Sequence, residues 1–251
     1  LSLRRQRQMC IRDSSFSSGM TQYHQDIDLI LTQSLDDLLI QQISINIRDT
    51  VEESTNLSQI AQIIVNIEHF QLACSELERW LSESRTPNPG SRLALGASEH
   101  LSTTLEIAQK RIDSAMFVKL DQFLDLLEYD WMPIQSASMQ RQPSSYLRDL
   151  IDWLSTMMES ALVLLPKVAK DATFTSCFMH ISNRLLNSAL LDRQVKMINL
   201  AALTNLDVDI TFVYQYAKSL NVHGVETVFG QVRQTLGCLL YTSPSPRDGL
   251  L

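Results

Sequence analysis

The chain has 251 residues, of which 21 are Lys or Arg and 28 are Asp or Glu, so its formal net charge at pH 7 is -7. This acidic balance argues against a nucleic-acid-binding protein, because such a protein needs a basic face that displaces counterions from phosphate. It also argues against direct membrane attachment, since anionic lipids attract clusters of Lys and Arg. We therefore expect no nucleic-acid partner, and membrane association only indirectly through other proteins.

Both ends of the chain resemble translated sequencing adapter. Residues 4–13 are RRQRQMCIRD and residues 238–248 are CLLYTSPSPRD. Codons that encode MCIRD have a reverse complement which, in another reading frame, encodes residues 238–242. Inverted repeats of this kind are expected where a transposase adapter flanks an insert, and such scars are excluded from fold reasoning. We predict that residues 1–14 and 238–251 are adapter scars and that the segments beside them are truncated.

Two cysteines lie outside these ends, and both fall within apolar helical patterns. Cys74 and Cys177 are therefore expected to be buried free thiols and not disulfide or metal ligands, which favours a reducing, cytoplasmic compartment. The apolar run Ala161–Leu165 ends at Pro166 and is far shorter than the roughly 18 residues that a membrane span requires.

The first predicted element is a helix over residues 26–53, where apolar residues recur at helical spacing. A second helix is predicted to begin after Asn56, and Gln59 stands three residues later, where it would complete a capping box. The apolar residues of this helix repeat about every seven positions up to Leu81, a narrow stripe that is typical of helices in antiparallel bundles.

A loop and a long third helix are predicted next. Residues 85–98 contain Pro87, Pro89 and Gly90, which oppose a helix and predict a surface loop. A helix from Glu99 to Glu128 would be about 45 Å long at about 1.5 Å per residue. Helices of that length favour rods laid side by side over a compact globule.

A structural junction is predicted where this helix ends. Tyr129, Asp130 and Trp131 follow its last apolar turn, and Pro143 with the serines after it is a start signal for another helix. Trp131 is expected to be wedged in the junction, although a tryptophan can also be a partner hot spot. We predict that Tyr129, Asp130, Trp131 and Pro143 form this junction.

The junction divides the chain into a proximal helical bundle, residues 15–132, and a distal C-terminal helical bundle, residues 133–237. Apolar spacing in the distal bundle predicts helices over residues 147–165, 167–191, 196–203 and 209–220. Residues Asn205 to Asp209 alternate between polar and apolar as a strand does. We predict a bend there, because a strand would need partners that the chain does not offer.

No residues in the sequence have the spacing of a catalytic or metal site. The five histidines are scattered, none of them spaced with another His, Cys or carboxylate as zinc ligands are. There is no phosphate-binding glycine loop, nucleophile elbow or metalloprotease motif. We therefore predict no enzyme activity, no catalytic residue, no metal and no cofactor.

Several blocks, in this order, resemble the C-terminal part of the Sec-fifteen family, also called exocyst complex component six. They are Ser54–Phe70 (STNLSQIAQIIVNIEHF), Leu126–Gln135 (LLEYDWMPIQ), Gln142–Leu154 (QPSSYLRDLIDWL), Leu165–Lys170 (LPKVAK), His180–Leu191 (HISNRLLNSALL) and Asn205–Ile210 (NLDVDI). The ordered succession carries the resemblance, since each block alone is a weak signal. The eight residues QSASMQRQ before Pro143 and the tail over 224–237 depart from the family pattern.

The resemblance implies an all-α fold, an elongated rod of stacked antiparallel helical bundles of the multisubunit-tethering-complex type. It implies a cytoplasmic protein, peripheral at secretory vesicles and the plasma membrane, which tethers vesicles for exocytosis. Its implied partners are other exocyst subunits and a GTP-bound Rab-family GTPase that binds the C-terminal bundle. The alternative is a helical scaffold or adaptor that holds other coiled-coil subunits without recognising a GTPase.

We place the candidate GTPase contact on Asn205, Asp207, Asp209 and Phe212, where short polar residues and an aromatic residue lie beside the predicted bend. Ordinary capping of a helix end accounts for the same residues equally well. Both interpretations stay open at the level of sequence.

Overall fold

The computed structural model describes residues 23, 26–83, 94–129, 131, 142–190 and 199–242. Within these ranges every regular element is helical and none is a strand, so the all-α prediction is confirmed. The elements are α1 (26–37), a π-helical segment π1 (Leu38–Ser44), α2 (Ile45–Glu53), α3 (Leu57–Glu83), α4 (Gly96–Leu124), α5 (Ser145–Glu159), α6 (Lys167–Arg184), π2 (Leu185–Leu190), α7 (Leu200–Ser219), α8 (Val225–Val228) and α9 (Gly230–Thr242).

The chain forms two compact units. Unit 1 comprises Leu1–Glu53 with Asn66–Ile107, and unit 2 comprises Ser54–Val65 with Ala108–Leu251. The predicted junction residues Tyr129, Trp131 and Pro143 all belong to unit 2. The proposal that residues 15–132 and 133–237 are separate folding bundles stays a prediction.

Unit 1 is built on the continuous helical segment formed by α1, π1 and α2, which confirms the helix predicted over 26–53. The hydroxyls of Ser44 and Thr104 lie 3.5 Å apart in the interior, and Val51 is fully buried. Asp36 lies on the same segment, and its carboxylate accepts hydrogen bonds from the backbone N–H groups of Gly96 and Ala97, each at 3.1 Å.

The carboxylate of Asp36 explains why α4 begins earlier than predicted. Residues Gly96–Ser98 were assigned to the loop, but they form the first turn of α4, and that part of the prediction was wrong. The first N–H groups of a helix lack partners within it. Asp36 supplies acceptors for two of these groups, and Glu78 accepts from the N–H of Leu95 at 2.8 Å. The rest of the predicted loop lies outside the described residues, apart from Ala94, which is exposed, and Leu95, which is buried.

The predicted cap of α3 is confirmed in its first half. The Asn56 side chain accepts a hydrogen bond from the N–H of Ser58 at 3.0 Å. The N–H of Asn56, however, is bonded to the Ser54 hydroxyl at 3.3 Å, and that hydroxyl donates to Gln59 at 3.2 Å. Gln59 therefore supports the cap through Ser54 and not by the direct reciprocal bond of a capping box. The predicted apolar stripe of α3 contributes buried Ile60, Ile64, Ile67, Cys74 and Leu81.

Unit 2 has a core of apolar and aromatic side chains from α5 to α9. Phe178 is fully buried, and its ring centroid lies 6.1 Å from that of Phe229 and 6.2 Å from those of Phe174 and Tyr216. Helix α5 begins at Ser145, immediately after Pro143 and Ser144, as predicted, but it ends at Glu159 and not at the predicted Leu165. It contributes the buried residues Leu147, Leu150, Ile151, Leu154 and Met158.

Helix α7 corrects the prediction of a bend at Asn205–Asp209. It runs without interruption from Leu200 to Ser219, and Asn199 caps it by accepting from the N–H of Ala201 at 2.9 Å. The alternation was misleading because Asp209, a charged residue, occupies an interior position of the helix. The apolar residues buried on the same side are Ala202, Leu203, Leu206, Ile210, Val213 and Ala217.

The end of the described chain is also helical. Gly224, whose φ of 82° is readily adopted only by glycine, precedes the short helix α8. Helix α9 follows and buries Val232 and Leu236. It continues to Thr242, into the segment 238–251 that we expect to be adapter-encoded, and the adapter origin of that segment stays a prediction.

Candidate functional site

A buried carboxylate organises the polar interior of unit 2. Asp209 is 0% exposed. The Tyr129 hydroxyl donates to its Oδ2 at 2.7 Å, the Ser144 hydroxyl donates to the same oxygen at 2.7 Å, and the Ser144 N–H donates to Oδ1 at 2.7 Å. We call Tyr129, Ser144 and Asp209 the Asp209 node. The three donors replace the hydration that a buried carboxylate loses.

The node also fixes the protonation of Tyr129. Burial raises the pKa of the Tyr129 hydroxyl far above its ordinary value, and the adjacent Asp209 charge and its hydrogen bond raise it further. A phenol whose ionised form is disfavoured in this way remains a donor at physiological pH. The Tyr129 hydroxyl therefore keeps the proton that it donates to Asp209.

The node changes the meaning of the predicted junction. Ser144 occupies the N-cap position of α5, but it makes no side-chain capping bond, because its hydroxyl donates to Asp209. Trp131 is half-buried, and its ring lies 6.0 Å from that of Tyr129. Tyr129 precedes residues 130–143 and Ser144 follows them, and both are bonded to Asp209 of α7. Asp130 itself lies outside the described residues.

The four residues predicted to contact a GTPase lie on different sides of α7. Asp209 faces the interior, Asp207 is exposed, and Asn205 and Phe212 are half-buried. Asn205 and Phe212 are seven residues apart and share one flank of the helix, whereas Asp207, two residues after Asn205, lies about 160° around the helix axis. Contact with a partner by these residues stays a prediction, and the contacts of Asp209 give it a structural role.

A second polar cluster joins α4 and α6 within unit 2. The Nε2 of His180 lies 2.8 Å from Oδ1 of Asp121, and the His180 ring stacks on Phe117 with centroids 4.4 Å apart. Arg184 reaches the same Asp121 oxygen at 3.1 Å and also bonds to Asp125. The acidic helix face of Asp121 and Asp125 is thus paired with basic side chains of α6.

A third polar contact links the same two helices nearer the core. Gln109 donates to Thr173 at 2.7 Å and to Asp113 at 3.2 Å. Burial raises the pKa of the Asp113 carboxyl, while hydrogen bonds from Gln109 and Ser176 act in the opposite direction. Burial also raises the pKa of the Cys177 thiol, and the charge of Asp113 adds to that effect.

Sequence reasoning selected two members of the Asp209 node but did not pair them. Tyr129 was assigned to the junction and Asp209 to the partner surface, and Ser144 was seen only as a helix start. One signal in the sequence points to the node: Asp209 falls at an apolar position of the stripe that contains Leu206, Ile210 and Val213. An acidic residue at such a position requires buried donors.

Two searches of the described ranges concern metals and membranes. No group of three or more His, Cys, Asp or Glu side chains in those ranges is arranged to hold a metal ion. In the same part of the chain, no helix combines the length and the apolar character needed to cross a membrane.

Comparison with known proteins identifies the family that the chain resembles over most of its length. Residues 5–246 match the family described as exocyst complex subunit Sec15 C-terminal. Exocyst complex component 6B of Mus musculus is 27% identical over 229 residues, which cover 88% of this chain and 28% of the relative. Exocyst complex component 6 of Homo sapiens is 26% identical over 231 residues, with the same two coverages.

The similarity extends to yeast. Exocyst complex component SEC15 of Saccharomyces cerevisiae is 25% identical over 185 residues, which cover 73% of this chain and 20% of the relative. The chain therefore spans between a fifth and three-tenths of the length of these relatives. No solved structure matches the chain significantly.

Proposed function

The chain belongs to the exocyst Sec15 C-terminal family, and from this premise we propose that it works as part of an exocyst subunit that tethers secretory vesicles to the plasma membrane for exocytosis. The single observation that carries the proposal is the family match over residues 5–246. The expected partners are other exocyst subunits. The expected location is cytoplasmic, at vesicles and the plasma membrane, where partners hold the protein.

The finer part of the proposal is that unit 2 binds a Rab-family GTPase in its GTP-loaded state. The candidate surface is the half-buried flank of α7 with Asn205 and Phe212, and Asp207 lies nearly opposite that flank. A GTPase changes the conformation of its switch segments on hydrolysis, so a rigid surface can distinguish the two nucleotide states. The Asp209 node supports rigidity here, because it ties the middle of α7 to Tyr129 and Ser144.

The test is a pulldown of the whole chain by purified secretory Rab GTPases, each loaded with a non-hydrolysable GTP analogue or with GDP. We expect retention by the GTP-loaded form alone. Asn205→Ala and Phe212→Ala should each weaken retention, Phe212→Ala by about tenfold, because aromatic anchors carry much of the binding energy at interfaces. Equal retention by the two nucleotide states, or none by either, would refute the effector role.

Matched controls are available in unit 1. Asn46 is an exposed asparagine and Phe70 is a half-buried phenylalanine, so Asn46→Ala and Phe70→Ala repeat the same chemical changes away from α7. Both should bind the GTP-loaded Rab as the parent does. A loss with the controls equal to that with Asn205→Ala and Phe212→Ala would mean that folding, and not the α7 surface, governs retention.

A scaffold without GTPase recognition is the second candidate, and the exposed apolar side chains of α3 favour it. Leu72 is 63% exposed and Trp80 is 62% exposed, and large exposed apolar residues are common at protein interfaces. On this alternative, exocyst subunits should co-purify with the chain regardless of any nucleotide. Trp80→Ala should then lower that recovery, while Phe212→Ala should leave it unchanged.

A further inference from the structure

Helix α1 of unit 1 carries an apolar stripe that no described residue covers. Ile27 is 58% exposed, Ile30 63%, Leu31 39% and Leu38 54%. An open groove of about 370 Å³ runs along this face, lined by Ile27, Ile30, Leu31, Ser34 and Leu35. We call Ile27, Ile30, Leu31, Leu35 and Leu38 the outer stripe. Their spacing of three and four residues is that of a helix face which packs against another helix.

The opposite side of α1 is already occupied. Asp36 on that side bonds to the first turn of α4. Nine residues separate Ile27 from Asp36, which at about 100° per residue places them half a turn apart. The outer stripe is therefore the apolar face of α1, and it is directed away from the contact that Asp36 makes with α4.

The charges beside the outer stripe are all negative. Residues 14–47 contain Asp26, Asp28, Asp36 and Asp37 and no Lys or Arg. Helical spacing puts Asp28 along one edge of the stripe and Asp26 with Asp37 along the other. A partner with carboxylates beside its own apolar residues would be repelled, whereas one with Lys or Arg there would be attracted.

We propose that the outer stripe is the docking site of an amphipathic helix from another protein, one that carries Leu or Ile at helical spacing with Lys and Arg on both flanks. Burial of the apolar stripe supplies affinity, and the basic flanks select the partner and its orientation. A second copy of this chain does not fit, because it would bring the same three edge aspartates, Asp26, Asp28 and Asp37, against each other. The inference rests on α1 alone and is independent of GTPase binding by unit 2.

The probe is a fluorescent designed peptide of about 20 residues, long enough to form a helix on binding, with a leucine stripe and lysine flanks. A second peptide has the same stripe and glutamate flanks. Titration of the whole chain at low salt, followed by fluorescence anisotropy, should show saturable binding of the lysine peptide and at least about tenfold weaker binding of the glutamate peptide. The difference should shrink as salt is added.

Two kinds of variant locate the site. Ile30→Glu should weaken binding of the lysine peptide by at least about tenfold. Val118→Glu is the matched control, because Val118 is also 63% exposed but lies on α4 in unit 2, and it should bind as the parent does. The double variant Asp26→Asn, Asp37→Asn should reduce the salt dependence of lysine-peptide binding. It should bind the glutamate peptide more strongly than the parent does. Circular dichroism should show the same helix content for every variant as for the parent. If Ile30→Glu has a lower helix content, Ile30→Ser is used in its place.

Three results would overturn the proposal. The first is equal binding of the lysine and glutamate peptides, or equal loss with Ile30→Glu and Val118→Glu. The second is a concentration-dependent dimer in sedimentation that Ile30→Glu dissociates, which would make a second copy the occupant. The third result would come from a subunit of the full length of the relatives. If this chain binds the lysine peptide and the full-length subunit does not, another part of the same subunit covers the outer stripe.

Discussion

The first helical segment of unit 1 and the aromatic core of unit 2 differ in how they place their apolar side chains. In unit 2 the aromatic side chains converge on Phe178, and a carboxylate enters the interior with three donors around it. In unit 1 the segment 26–44 has one buried residue, Ser44, while Ile27 and Ile30 are more than half exposed. Similar helical spacing of apolar residues thus gives a closed core in one unit and an open face in the other.

This difference separates two kinds of binding surface. In unit 2 a partner would meet a flank of α7 that lies next to the fixed contacts of Asp209, which suits recognition of one conformation of a GTPase. In unit 1 a partner helix would complete a packing face that the described chain leaves open. Stability should accordingly depend strongly on interior residues of unit 2 and little on the outer stripe.

The largest expected effect is on the aromatic core. Phe178→Ala removes the ring that contacts Phe174, Tyr216 and Phe229, and it should lower the free energy of unfolding of unit 2 by about 4 kcal/mol, from lost burial and the cavity left behind. Urea unfolding followed by circular dichroism measures it. Phe70→Ala, at a half-buried position in unit 1, should cost clearly less. A cost below about 1 kcal/mol for Phe178→Ala would mean that this core is not well packed.

Removal of the buried carboxylate should have the next largest effect. Asp209→Ala leaves the Tyr129 hydroxyl and both Ser144 donors without their acceptor, and it should cost about 3 kcal/mol in the same measurement. Asp207→Ala, an exposed aspartate of the same helix, is the control and should change stability by less than about 0.5 kcal/mol. Equal effects of the two substitutions would contradict the structural role given to Asp209.

A smaller effect is expected from one donor of the node. Tyr129→Phe keeps the ring and removes the hydroxyl that donates to Asp209, so about 1.5 kcal/mol should be lost, as for other hydrogen bonds to charged groups. Combined with Asp209→Ala, it should add almost nothing, because the contact is already absent. Additive losses would show that the two residues act separately.

The smallest expected effect is a pH dependence at Asp113. Burial raises the pKa of this carboxyl in the folded chain, so the folded state holds the proton more tightly than the unfolded state. Its contribution to stability is present below the unfolded pKa and is lost as the pH rises through the raised folded value. Asp113→Asn should thus gain stability relative to the parent between acidic and neutral pH. If the difference in the free energy of unfolding between Asp113→Asn and the parent stays constant over that pH range, the pKa of Asp113 is not raised.

Sequence patterns predicted the helices well where the signals were local. Asn56 lies next to the helix it caps, and Pro143 lies two residues before α5, so both starts were evident. The errors at the start of α4 and in the middle of α7 occurred where the deciding partner was distant. Asp36 caps α4 from 60 residues away, and Asp209 meets Tyr129 from 80 residues away.

The openness of α1 was also hidden in the sequence. The spacing of Ile27, Leu31 and Leu35 predicts a helix with an apolar side, but it does not state whether that side will be covered. Likewise Asn205, Asp207 and Phe212 were grouped because they are close along the chain. In a continuous helix, neighbours two residues apart lie on nearly opposite sides, which distributes the candidate residues around α7.

The central claim is that unit 2 is closed by its own contacts while unit 1 is held more loosely. In the described part of the chain, each unit has one buried thiol that can report on this: Cys74 is 3% exposed in unit 1 and Cys177 is 0% exposed in unit 2. Burial raises the pKa of both thiols, and Glu78 and Asp36 add to the effect at Cys74, which places it beside the segment that carries the outer stripe.

The most direct measurement is the rate of thiol labelling under native conditions, in a chain with Cys10→Ser and Cys238→Ser. After correction for the rate of each thiol in urea, Cys74 should react at least about tenfold faster than Cys177, because local opening requires less free energy where fewer contacts must break. Labelling of Cys177 as fast as Cys74, or faster, would contradict the difference between the two units.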